Sequence, residues 1–269
     1  MRVVLLLCLV ACTGAAPDES TDDDDGFGAG KEDSPGSDWT MVGRGVAYQR
    51  VNTGPAILIA YGGYTARLSY AAAWATELVD ARLGAAGVGH IYAVQGPADP
   101  GYAAREIANT RLRAHLATLA DSTAPIYVVG HSSGSYVAHE LLSQLYNVDD
   151  VAVLARIGYA DLDGGGAGLS DSIVASLRAI TFAYAHDPAA GYSENHDTAR
   201  ALGAEFAPKA TTFAVELAGT GCTPGAGWCM HDVLITHRPH DHDSFDLARD
   251  YTDFVGRAIT TEYLDRIAM

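Results

Sequence analysis

Short apolar runs alternate along most of the chain with segments that carry apolar residues at helical spacing. The apolar runs predict six strands, at residues 56–61, 90–94, 126–129, 151–157, 180–185 and 211–217. Between the second and third runs, Leu112, Leu116 and Leu119 recur at helical spacing. Unbroken apolar strands separated by amphipathic helices are typical of a parallel sheet covered on both faces. We therefore predict an α/β protein in which the C-terminal ends of the strands, and any active site, share one edge of the sheet.

The N-terminal residues differ from the rest of the chain. Arg2 precedes an eight-residue apolar run at residues 3–10. This run is shorter than the roughly 20 residues that a membrane-spanning helix needs, but it suits the apolar region of a secretory signal. Residues 9–12 (LVAC) resemble the lipobox of bacterial lipoproteins, which implies a signal peptide at residues 1–11 and a lipidated Cys12. The alternative is an ordinary signal peptide cleaved near Ala15 or Ala16.

Composition and charge divide the remaining chain. Residues 12–38 contain an unbroken acidic run at 22–25, and we predict that they form a disordered tether. Residues 39–269 are expected to fold as one domain. The chain has 33 acidic and 17 basic residues, a net charge of −16, so nucleic acid is an unfavourable partner. The predicted anchor places the protein at a membrane of the cell envelope, in the periplasm or at the cell surface; the alternative signal peptide predicts a secreted protein.

A G-x-S-x-G motif occupies residues 130–134, directly between an apolar run and a helical segment. A turn this tight from strand to helix strains the backbone of the central residue and crowds its neighbours. Small residues are therefore needed two positions before and two positions after Ser132. The first N–H groups of the following helix point towards the reacting oxygen. The motif in this context predicts that Ser132 is a nucleophile.

The motif and the order of elements from about residue 56 onwards resemble the α/β-hydrolase superfamily, in particular its serine esterases and lipases. The resemblance implies hydrolysis of carboxylic esters, from small molecules or lipids, through an acyl-enzyme intermediate and without a cofactor. It also implies an oxyanion hole made by the N–H groups of Ser133 and of Gly63 or Tyr64. The alternative is a binding domain that keeps the fold without the chemistry.

The catalytic acid is expected between the nucleophile and the base, because α/β-hydrolases follow the order serine, acid, histidine. Asp187 directly follows the predicted strand at 180–185, where the family carries its acid, and it is the predicted acid. Asp161 and Asp163, one strand earlier, are the alternatives.

Two histidines are candidates for the base. His240 lies near the final helix, and Cys222 and Cys229 precede it; spacing and predicted export favour a disulfide between these cysteines. A disulfide followed by a Leu-Ile pair and Pro-His resembles the end of cutinases. Cutinases carry their acid inside the disulfide loop, whereas residues 223–228 contain no carboxylate. His231 is the other candidate, since its position two residues after Cys229 favours the rigid placement that a base needs.

The segment at residues 237–243 also permits a different interpretation. It combines imidazoles and carboxylates that Zn²⁺ or Ca²⁺ accept as ligands, namely His237, His240, Asp241, His242 and Asp243. Neighbouring loop residues point in different directions, so we predict no metal site there. A metal-binding protein remains an alternative to the hydrolase.

Overall fold

A computed structural model describes residues 34–64, 66–97, 102–119, 123–148, 151–186, 193–216, 231, 233–235 and 261–268, with the backbone alone at 102–105 and 193–196. The strands are β1 (Thr40–Gly43), β2 (Val46–Arg50), β3 (Ala56–Tyr61), β4 (Val88–Val94), β5 (Ile126–His131), β6 (Ile157–Leu162), β7 (Ala179–His186) and β8 (Ala210–Glu216). The helices are α1 (Leu68–Leu78, continued by a π-helical turn at Val79–Leu83), α2 (Tyr102–Leu116), α3 (Gly134–Asn147), α4 (Val151–Leu154), α5 (Asp171–Ser176), α6 (Ser193–Glu205) and α7 (Leu264–Ala268).

The described strands form one eight-stranded sheet in the order β1-β2-β4-β3-β5-β6-β7-β8. The strands from β3 to β8 run parallel to one another, whereas β2 pairs with β4 in antiparallel orientation and β1 pairs with β2 in antiparallel orientation. This confirms the predicted α/β class with a mostly parallel sheet. Because the parallel strands all end at the same edge, the turns that follow β3, β5 and β6 lie next to one another.

The unbroken apolar runs arise because both faces of the sheet are covered. Along β3, Ile57 and Ile59 belong to the core on one face, while Leu58 and Ala60 belong to the core on the other. The first face packs against α2, α3, α5 and α6, and the second packs against α1 and α7. The inner strands β3, β4, β5 and β6 therefore bury every residue, as expected for parallel strands between two helical layers.

The predicted strand at residues 151–157 is wrong. Residues Val151–Leu154 form a short helix, and β6 begins only at Ile157. A short apolar run cannot distinguish a buried strand from a helical turn by periodicity alone. The strand β6 itself was not predicted, because it contains Gly158 and the buried carboxylate of Asp161.

The antiparallel pair β1 and β2 was not predicted either. These strands are short and only partly apolar, and a turn containing Gly45 at φ +69° connects them. Residues 236–260, where the sequence analysis places the final helix, lie outside the described residues, and the last described helix is α7. Within the described ranges, no helix has the length and apolarity to cross a bilayer.

Candidate active site

The motif at residues 130–134 forms a sharp turn from β5 into α3. Ser132 has a φ of +53°, a left-handed conformation that non-glycine residues rarely adopt. Its N–H donates to the carbonyl of Leu162 at 2.8 Å, and its own carbonyl accepts from the N–H of Ser135 at 3.0 Å. Hydrogen bonds on both sides thus hold the strained residue in place. Ser132 is only partly buried, so its side chain lies at an accessible edge of the sheet.

The two glycines of the motif are required by close backbone contacts. A Cβ at Gly130 would lie 2.8 Å from the Cα of Ser135. A Cβ at Gly134 would lie 2.3 Å from the carbonyl oxygen of Gly62 and 2.6 Å from that of Tyr61. The start of α3 therefore packs directly on the end of β3, and any side chain at position 134 would separate them.

This contact predicts a specific stability effect. Gly134→Ala is expected to lower the free energy of unfolding by about 1–3 kcal/mol, because the added methyl group meets two backbone carbonyls that cannot rotate away. Thermal unfolding followed by circular dichroism measures the change. Asn147→Ala, an exposed position at the other end of α3, serves as the control and should change the stability by less than about 0.5 kcal/mol. An unchanged melting temperature in Gly134→Ala would contradict the tight packing of the turn.

The loop after β3 approaches the serine through Gly63. A Cβ at Gly63 would lie 3.4 Å from the Cβ of Ser132 and 2.9 Å from Nδ1 of His131. The loop is fixed on its other side, because the N–H of Gly62 donates to the carbonyl of Val94 at 3.0 Å. Ser133 occupies the N-cap position of α3. The residues predicted for an oxyanion hole thus lie on both sides of Ser132, and the side chain of Tyr64 is exposed beside them.

His231 and Asp163 form a buried pair. Nδ1 of the imidazole donates to Oδ2 of the carboxylate at 2.9 Å, and each residue is only 3% exposed. Burial raises the pKa of Asp163 above the usual range of an aspartate, although the hydrogen bond from His231 opposes this shift. A carboxylate that holds one ring nitrogen of a histidine fixes the orientation of the ring and the position of its proton.

His131 connects this pair to the serine turn. It precedes Ser132 in the chain, is 2% exposed, and donates from Nε2 to the carbonyl of His231 at 3.0 Å. The two imidazole rings are also in contact, with centroids 4.5 Å apart. His231 is therefore attached, through both its backbone and its ring, to the residue next to Ser132.

Asp163 reaches His231 because the chain turns at the end of β6. Asp163 has a φ of +52°; apart from Ser132, no other described non-glycine residue has a positive φ. Its N–H donates to the carbonyl of Ala183 at 2.8 Å. The two left-handed residues follow neighbouring strands, and such strained positions tend to cluster at functional sites.

The predicted site residues divide into two groups. One group lies together at the C-terminal edge of the sheet and consists of Ser132, Ser133, Gly63, Tyr64 and His231. The other predicted residues lie outside the described residues, and they are Cys12, Asp187, Cys222, Cys229, His240 and the segment at 237–243. Asp163, an alternative acid in the sequence, contacts His231, whereas Asp161 does not take part in this contact.

Two features of the site were missed by sequence reasoning. The role of His131 was not anticipated, because the second position of the motif accepts many residue types. The sequence predicted a role for the loop that contains Gly63, but it did not predict the close contact between Gly63 and Ser132. Among the described residues, no group of three metal-ligating side chains comes together.

The mostly parallel sheet, its two helical layers and the serine turn between β5 and α3 give this chain the α/β-hydrolase fold. The chain is similar to the solved structure of an esterase/lipase from an uncultured bacterium, with 12% identity over 67% of this chain and 75% of that one and a TM-score of 0.47. It is also similar to carboxyl esterase 2 from the mycorrhizal fungus Tuber melanosporum, with 10% identity over 64% and 71% of the two chains and a TM-score of 0.45. Fungal esterases from Rhizomucor miehei give 13% identity over 63% and 69% of the two chains and a TM-score of 0.45. No family model and no curated protein matches the chain.

Proposed function

We propose that this protein is a serine hydrolase that cleaves carboxylic esters through an acyl-enzyme intermediate. The observation that carries the proposal is the buried contact between His231 and Asp163, joined through His131 to a serine in a left-handed turn. A serine hydroxyl becomes an effective nucleophile when a histidine accepts its proton, and the histidine needs a carboxylate to hold its tautomer.

The assignment of His231 as the base follows from its hydrogen bonds. Because Nδ1 donates to Asp163, the neutral ring has its lone pair at Nε2. Nε2 is then the atom that takes the proton of Ser132. Asp163 stabilises the imidazolium that forms, since a buried carboxylate interacts strongly with a nearby positive charge. His240 and Asp187 are the competing assignments from the sequence.

The proposed reaction has two steps. The oxygen of Ser132 bonds to the ester carbonyl carbon while its proton passes to His231, and the N–H groups of Ser133 and of Gly63 or Tyr64 hold the oxyanion. The bond from carbon to the alcohol oxygen then breaks, and the alcohol leaves with the proton from His231. Water attacks the acyl-enzyme by the same route, giving its proton to His231, and the carboxylic acid is released as Ser132 regains a proton.

Labelling with a serine-reactive fluorophosphonate tests this proposal. The reagent is expected to modify Ser132 in the folded protein and to leave the heat-unfolded protein unmodified, because only the folded site activates the hydroxyl. Peptide mass spectrometry locates the label. A folded protein that remains unlabelled would instead support a binding domain without chemistry. Hydrolysis that continues after labelling but stops with a chelator would favour the metal-based alternative at residues 237–243.

A further inference from the structure

A second group of buried polar side chains lies behind the serine turn, on the face of the sheet covered by α3. Ser135 and Tyr159 are 0% exposed, His139 is 1% exposed and Asp161 is 3% exposed. None of them takes part in the contact between His231 and Asp163. Buried polar groups are costly unless they are hydrogen-bonded, so the contacts of this group indicate what it contributes.

One oxygen of Asp161 connects the two turns that carry the proposed catalytic residues. Oδ1 accepts the N–H of Gly164 at 2.9 Å and lies 3.1 Å from the hydroxyl of Ser135. The same hydroxyl is 3.0 Å from the carbonyl of Gly130, the first residue of the motif. The loop after β6 and the turn after β5 are therefore attached to a single carboxylate.

The other oxygen of Asp161 contacts α3 and its own strand. Oδ2 lies 3.2 Å from Nε2 of His139 and 3.4 Å from the hydroxyl of Tyr159. On its opposite side, Nδ1 of His139 donates to the carbonyl of Ala167 at 2.8 Å. The loop after β6 is thus bound to α3 at Ala167 as well as being bound through Asp161 at Gly164.

The glycines of this loop show how closely it packs. A Cβ at Gly164 would lie 2.3 Å from Oγ of Ser135, and one at Gly165 would lie 2.6 Å from the hydroxyl of Tyr136. A Cβ at Gly166 would lie 2.5 Å from Leu202 of α6. Three consecutive glycines suggest a mobile loop from the sequence, but here they allow the backbone to pass between α3 and α6.

The direction of Asp163 depends on this arrangement. Successive side chains of a strand alternate between the two faces, so residues 159, 161 and 163 would all point towards α3 if β6 continued. Tyr159 and Asp161 do so. Asp163 has left the strand, with a φ of +52°, and contacts His231, which lies two residues before Val233 of the core on the other face. A left-handed conformation at a non-glycine residue costs about 1–2 kcal/mol and needs support from its surroundings.

We propose that Asp161 is a positioning residue that holds the chain in this left-handed conformation and so directs Asp163 at His231. Its Oδ1 accepts the N–H that directly follows Asp163, which fixes the left-handed turn, and its contact with Ser135 keeps that turn in register with Ser132. The proposal rests on the proposed function, since it assigns a role within the same site. Asp161 acts through Asp163 and touches no reacting atom.

Paired variants of Asp161 test the proposal. Asp161→Ala removes the acceptor for Gly164 and is expected to lower kcat on a p-nitrophenyl ester by about 10- to 100-fold, with KM changed by less than about threefold, because a displaced acid misorients the base. Asp161→Asn keeps an oxygen at Oδ1 and should retain kcat within about fivefold. Asp171→Ala, an exposed carboxylate of α5, is the control and should match the unmodified protein. Rates are normalised to the sites titrated with the fluorophosphonate, which removes the contribution of unfolded protein.

A measurement without substrate separates this proposal from the proposed function. The proton between Nδ1 of His231 and Asp163 gives a downfield imidazole resonance in the proton NMR spectrum, and Asp163→Asn identifies it by removing it. We expect the resonance to be lost or shifted in Asp161→Ala and kept in Asp161→Asn. An unlabelled Ser132 would end the proposed function, while the resonance would still report whether Asp161 directs Asp163.

Three results would overturn the positioning role. The first is an Asp161→Ala variant with unchanged kcat per titrated site and an unchanged resonance. The second is an equal loss of kcat in Asp161→Ala and Asp161→Asn, because asparagine retains the acceptor oxygen and should preserve kcat. If Asp161→Ala does not fold, Ser135→Ala removes only the link to the serine turn. That variant is expected to lower kcat about three- to tenfold, and unchanged kcat there would overturn the coupling between the two turns.

Discussion

Replacement of Ser132 by alanine is expected to reduce kcat for p-nitrophenyl esters by about 10⁵- to 10⁶-fold while KM stays within a few fold. The loss is this large because the nucleophile and its base act as a unit, so removing one removes nearly the whole advantage of the covalent route. The substitution deletes one oxygen from a partly exposed side chain, and it should leave the melting temperature within a few degrees. Initial rates over a concentration series, together with thermal unfolding, measure both effects.

Ser143→Ala provides the matched control for this variant. Ser143 belongs to α3 and is partly exposed, but it lies more than two helical turns beyond the start of the helix. The control should hydrolyse the esters at the unmodified rate. Full activity in Ser132→Ala, with Ser143→Ala behaving identically, would show that the hydrolysis does not use Ser132 and would end the proposed mechanism.

The second large effect is expected at the carboxylate. Asp163→Asn should lower kcat by about 10⁴-fold, because an amide at this position can donate to the ring and so favours the wrong tautomer of His231. Asp187→Asn is the comparison, since Asp187 is the acid that the sequence favoured. If Asp163 is the acid, Asp187→Asn retains kcat within a few fold. If Asp187→Asn loses kcat and Asp163→Asn retains it, Asp187 is the catalytic acid and the contact between Asp163 and His231 is structural.

We also expect Asp163→Asn to change how the free energy of unfolding depends on pH. Burial raises the pKa of Asp163 above the ordinary aspartate value of 3.8, so the folded protein keeps this proton to a higher pH than the unfolded chain does. Between the two pKa values the unfolded state binds fewer protons, and the contribution of Asp163 to the free energy of unfolding falls as the pH rises. In Asp163→Asn this side chain does not titrate, so its contribution to the free energy of unfolding does not fall as the pH rises.

The difference in stability between the two proteins should therefore shift towards the variant as the pH is raised from about 3.8 to neutrality. Urea unfolding at a series of pH values measures it. A difference that moves the other way would mean that the hydrogen bond from His231 outweighs burial, and that the folded pKa of Asp163 is lowered instead. Stability kept or gained together with lost activity is the usual pattern for a buried group retained for chemistry.

Much of the fold could be predicted because its signals are local. The strands β3, β4, β5 and β7 follow from apolar runs that are fully or largely buried between two helical layers. The strand β6 was not predicted because its sequence contains Gly158 and Asp161, which break the apolar pattern. Its apolar neighbours at 151–154 form a helical turn, since a run of that length satisfies either structure.

The parts of the candidate site that lie within a short stretch of sequence could be predicted, and the parts that join distant residues could not. Ser132 and its glycines stand in one motif, and the reason for the motif is steric and contained within a few residues. The contact between Asp163 and His231, the proposed acid and base, joins residues that are 68 positions apart in the chain. No pattern in the chain reveals that a left-handed residue at the end of β6 turns the side chain of Asp163 away from that of Asp161.

The sequence by itself determined the α/β class, the position of the serine turn and the side of the sheet on which any chemistry must occur, because helical and strand periodicity and a strained turn depend on residues close together in the chain. The tertiary structure alone decided which carboxylate meets which histidine. That contact depends on the order of the strands in the sheet, on the left-handed conformation of Asp163, and on His131, which lies between the serine turn and His231. Each of these joins residues that are distant in sequence, and only packing brings them within hydrogen-bonding distance.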